Sequence, residues 1–89
     1  MAKVGRMSEE FQEYMQKEIF PLVKNYRPKN NKEGWYVQWK LIPAQKTDPH
    51  TYINLLLKIR EDPTVTWQFK TFLLQLVSLI NNRFETKSS

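Results

Sequence analysis

Residues 35–42 read Trp-Tyr-Val-Gln-Trp-Lys-Leu-Ile, the densest run of large side chains in the chain, with Gly34 before it and Pro43 after it. Strict alternation places Trp35, Val37, Trp39 and Leu41 on one side of an extended chain and Tyr36, Gln38, Lys40 and Ile42 on the other. A segment of about eight residues between two breakers suits a strand and is short for a helix. The run therefore predicts the central strand of a small domain, with Trp35 and Trp39 packed in its core.

The segments around it are read against that strand. From Ser8, a candidate N-cap followed by Glu9 and Glu10, the residues Phe11, Tyr14, Met15, Ile19, Leu22, Val23 and Tyr26 recur at three- and four-residue steps. They predict one helix, kinked at Pro21 and ending near Tyr26. Residues 27–34 and 43–50 have the composition of loops. Residues 51–60 alternate as a strand, with Ile53, Leu55, Leu57 and Ile59 facing one way and only Leu56 off pattern. Thr47-Asp48-Pro49 would also serve as a helix start. Asp62 and Pro63 open a last helix running to about Phe84, whose apolar positions form a wide face.

The expected fold is α+β in the order α-β-β-α, with two helices packed on one face of a small antiparallel sheet; an all-α four-helix arrangement is the alternative. Residues 8–85 form the single compact domain, and residues 1–7 and 86–89 are expected to be flexible. A two-stranded sheet leaves open edges, which a short strand at residues 64–68 or edge-to-edge pairing of two copies would cover; a homodimer is the expectation.

The residues available for chemistry are few. There is no cysteine, which excludes disulfides and thiolate metal sites and points to an intracellular protein, cytoplasmic or nuclear. No apolar run is long enough to span a bilayer, and no secretory signal or myristoylation site opens the sequence. His50 is alone in a loop and reads as an exposed turn residue. Glu33, Glu61 and Asp62 would lie near one end of the sheet, but their spacing is not diagnostic of a Mg²⁺ site. With two glycines there is no phosphate-cradling loop. No enzyme, metal or cofactor is expected.

Charge carries more information. Residues 24–46 hold Lys24, Arg27, Lys29, Lys32, Lys40 and Lys46 against Glu33 alone, so the net charge of +5 resides in that stretch. Basic groups interleaved with aromatic rings suit a phosphate backbone and unstacked bases. The expected function is a small non-enzymatic nucleic-acid-binding module. Its phosphate contacts are those six cations, and its sheet face presents Tyr36 and Tyr52 for stacking beside Lys58 and Arg60. The alternative is a protein-interaction module, an adaptor, inhibitor or assembly subunit such as a viral or phage accessory protein, that grips a partner such as an acidic protein surface with the open sheet edge or the sheet face and uses Trp67 as an anchor.

Overall fold

The computed structural model describes residues 9–43 and 47–84. Among them there are four helices and no strand. Helix α1 covers residues 9–25, α2 residues 31–41, α3 Pro49–Arg60 and α4 Trp67–Phe84. The expected sheet is absent, and the all-α arrangement is the one adopted. The short strand at residues 64–68 is instead a turn and the start of α4. With no sheet there are no open edges, so the ground for expecting a homodimer disappears. The expected flexible ends and the Ser8 cap lie outside the described residues.

Helix α1 follows its periodicity. Phe11, Met15, Ile19 and Val23 are fully buried, each four residues from the next. In an α-helix of 3.6 residues per turn that spacing drifts by about 40° a step, which would carry the stripe off the core. A π turn at Met15–Ile19, closed by Phe20 N–H donating to the Met15 carbonyl, widens one turn and cancels part of the drift. Pro21 follows at the start of the Phe20–Asn25 segment, so the missing N–H falls just past the irregular turn. The helical hydrogen-bonded run continues past Pro21, and the helix stops as Tyr26 turns extended.

Helix α2 replaces the central strand. Its start is set by Asn30, whose side chain accepts from Glu33 N–H at 2.9 Å. Glu33, Val37 and Leu41 then face inward, again at four-residue steps, and a second π turn at Val37–Leu41 falls on that spacing. Trp35 and Trp39 face outward instead, 46% and 59% exposed. A short aromatic-rich run matches the strand and the helix templates alike, and here the cap decides between them.

Helix α3 replaces the second strand. Asp48 accepts from Thr51 N–H at 2.7 Å and Pro49 occupies the first turn. Tyr52, Ile53, Leu56 and Ile59 make its buried stripe, and His50 sits exposed in the first helical turn rather than in a loop. Helices α3 and α4 form the most extensive helix pair, with Phe69, Leu73, Leu76 and Ile80 of α4 buried. Thr66 caps α4 by accepting from Phe69 N–H at 3.2 Å, four residues later than the Asp62 cap expected. Helix α4 is less enclosed than its composition suggests, since Trp67, Leu74 and Leu79 remain exposed. Among the described residues no helix is long and apolar enough to cross a membrane.

Leu56 and Leu57 separate the helical arrangement from the alternating one. Leu56 is fully buried and Leu57 is 37% exposed, the reverse of the strand pattern. In urea unfolding, Leu56→Ala is expected to lose about 2–5 kcal/mol and Leu57→Ala under about 1 kcal/mol.

Candidate nucleic-acid interface

The surface begins with a buried carboxylate. Glu33 has no solvent exposure, and its Oε1 accepts from the Lys29 N–H at 2.8 Å and the Tyr26 hydroxyl at 3.0 Å. Its Oε2 accepts from Thr66 N–H at 2.7 Å. Among the described residues no lysine or arginine pairs with it. Desolvation pushes this carboxyl up, but the backbone and hydroxyl donors of Lys29, Thr66 and Tyr26 together outweigh it and leave it below its ordinary value. Burial and the Glu33 contact push the Tyr26 hydroxyl up to about 12, so it stays a donor.

A second carboxylate finishes the same corner. Asp62 Oδ1 accepts from the Thr64 N–H at 2.8 Å and the Thr64 hydroxyl at 2.6 Å, and Oδ2 accepts from the Tyr36 hydroxyl at 2.5 Å. Hydrogen bonds from Thr64 and Tyr36 hold its carboxyl down at about 2, with Lys32 adding a smaller pull from 3.9 Å. Asn30 Nδ2 donates to the Thr64 carbonyl at 3.0 Å. The loop before α4 is thus fastened to the first half of α2 at both carboxylates. Glu33 and Asp62 spend their oxygens on protein donors, and among the described residues no three metal-ligating side chains converge.

With its acid turned inward, the only charged groups that residues 24–43 present to solvent are cations. Lys24, Arg27, Lys29, Lys32 and Lys40 are all exposed. The structure brings three of them to one surface with the two tryptophans. Lys29 lines a shallow depression with Pro28, Gly34, Trp35, Gln38 and Trp39. The Lys32 ammonium stands 5.6 Å from the Trp35 ring and 5.4 Å from the Tyr36 ring, and the Lys40 ammonium 5.3 Å from Trp35. These are cation–π distances, and they gather positive charge around an exposed indole. Lys24 stands at the end of α1 and Arg27 in the loop.

The other expected residues fall elsewhere. Tyr52 is fully buried, its hydroxyl donating to the Leu41 carbonyl at 3.3 Å and its ring edge-on to Phe11, so it offers no stacking surface. Tyr36 is half-buried, near-parallel to Phe69 with its hydroxyl on Asp62, a support for the surface more than a face of it. Lys58 is exposed on α3, and Arg60 is half-buried with its Nε enclosed. Lys46 lies outside the described residues. Sequence reasoning assigned Trp35 and Trp39 to the core; the signal it passed over is the four-residue spacing of Trp35 with Trp39, and of Lys32 with Tyr36 and Lys40, downstream of Asn30-x-x-Glu33. Comparison of the chain with protein-family models, curated proteins and solved structures gives no match.

Glu33 and Asp62 both have folded carboxyls below their unfolded values, so their stabilisation is complete above the unfolded range and is lost as pH falls through the folded values. Unfolding free energy is therefore expected to fall from about pH 4.5 toward about pH 2. Glu33→Gln puts an amide donor against protein donors; in urea titrations it is expected to cost about 1–3 kcal/mol at pH 7 and to flatten the upper part of that acid slope.

Proposed function

We propose that this chain is a non-enzymatic nucleic-acid-binding module acting inside the cell, with the loop at residues 26–30 and the outer face of α2 as its contact surface. The observation that carries the reading is the position of Glu33. The single acid of the basic stretch is buried and satisfied by protein donors, which leaves Lys29, Lys32 and Lys40 facing solvent around Trp35, with only Asp62, 3.9 Å from Lys32 and held by Thr64 and Tyr36, near them. Lys24 and Arg27 extend the charge along the chain. Phosphates suit this surface because ammonium and guanidinium groups neutralise them without needing a fixed partner geometry.

A protein partner is the second reading, and Trp67 favours it. It is 74% exposed in the first turn of α4, with the Lys70 ammonium 4.7 Å from its ring, and exposed tryptophans are common anchors of protein interfaces. An acidic protein surface would also answer the lysines.

Anisotropy titrations of labelled single-stranded and duplex oligonucleotides distinguish the two. Engagement of three to five phosphates is expected to weaken binding between ~50 and ~200 mM salt by about 20- to 130-fold for a single strand and about 40- to 500-fold for a duplex. Neutralising Lys29, Lys32 and Lys40 together should reduce both the affinity and the salt slope, while Trp67→Ala leaves both in place. Absence of binding at ~50 mM salt would contradict the reading, and recovery of one acidic protein, lost on Trp67→Ala, would replace it.

A further inference from the structure

Resting on the nucleic-acid reading above, we infer that Trp35 and Trp39 form a two-base stacking ladder that selects single strands. Four residues separate them on one face of α2, which sets their Cβ atoms on the order of 6 Å apart. Successive bases within a duplex strand are only about 3.4 Å apart and have their faces covered by their neighbours. A duplex therefore presents its phosphates to the lysines but no base face to either indole. An unpaired strand can open one step and lay one base on each ring.

Three observations converge on this occupant. Both indoles are exposed although the chain has a core that could have taken them, at 46% and 59%. Lys32 and Lys40 hold their ammonium groups over the Trp35 ring within 5.6 Å, so a base stacking there takes an ammonium's place and leaves that flexible cation beside the flanking phosphate. The backbone of α2 is tied at its first turn through Glu33 to Lys29 and Thr66, and Tyr36 is tied to Asp62, so the rings stand on a rigid element. Stacking on an aromatic face tolerates any base, so no sequence preference is expected from this pair.

The test is anisotropy of labelled oligo-dT and of a duplex of equal length, at fixed salt, with the full chain and its Trp35→Ala, Trp39→Ala, doubly substituted and Trp→Phe forms, circular dichroism confirming that each keeps its helices. Each single alanine change should weaken single-strand binding about 10-fold and the pair about 100-fold. Duplex binding and the salt slope should be unchanged, and phenylalanine should restore most of the loss. Single-strand binding with a steep salt slope that persists in the double alanine form would overturn the ladder while leaving the phosphate reading intact. No binding of any oligonucleotide by the unsubstituted chain would overturn both.

Discussion

The Glu33 carboxylate is the constraint on which the rest of the structure depends. A buried charge needs compensation, and here it comes from protein donors instead of a counter-ion: Lys29 N–H ahead of α2, the Tyr26 hydroxyl at the end of α1, and Thr66 N–H at the cap of α4. Such bonds to an ionised acceptor are among the stronger ones a protein makes. Each donor belongs to a different part of the chain. One side chain therefore ties the end of α1, the start of α2 and the start of α4 to one another, and losing any of these donors would leave the buried Glu33 charge less compensated.

The aromatic packing at this corner follows from that attachment. Tyr26 is near-parallel to Phe72 with ring centroids 4.7 Å apart and meets Phe69 at 5.3 Å, while Tyr36 also lies near-parallel to Phe69. The two tyrosine hydroxyls reach the two carboxylates, so ring packing and hydrogen bonding fix the same residues. Inward placement of Glu33 also determines the outer face of α2. A helix that turns Glu33, Val37 and Leu41 to the core must turn Trp35 and Trp39 away from it. Fold and surface chemistry are in this sense one decision.

Helices α1 and α4 were legible in the sequence because each carries an apolar stripe over four or more turns, long enough for the helical period to exceed any accidental alternation. That Pro21 lies inside one helix could be read, whereas the π turn at Met15–Ile19 ahead of it could not. Helices α2 and α3 were not legible, since eight to ten residues rich in aromatic and branched side chains fit both periods. Leu56, off pattern in a strand, is central to the buried stripe of α3. Local caps carried the missing information: Asn30 with Glu33, and Asp48 with Pro49. The cations of the candidate surface were visible as a charge bias, whereas Trp35 and Trp39 were assigned to the wrong side because their side of the backbone depends on the period chosen. Tyr52 failed for the same reason in the opposite direction. No local pattern announces that Glu33 meets Thr66, a contact spanning 33 residues.

Glu33 is ionised and bonded to these amides in the folded protein, and a pH titration followed by amide proton and nitrogen NMR measures that directly. The Lys29 and Thr66 amide protons should move together, with one shared midpoint below the ordinary glutamate value of about 4.3, and both movements should vanish in Glu33→Gln. Separate midpoints, or a shared one at or above the ordinary value, would contradict the claim that this carboxylate holds the helices together.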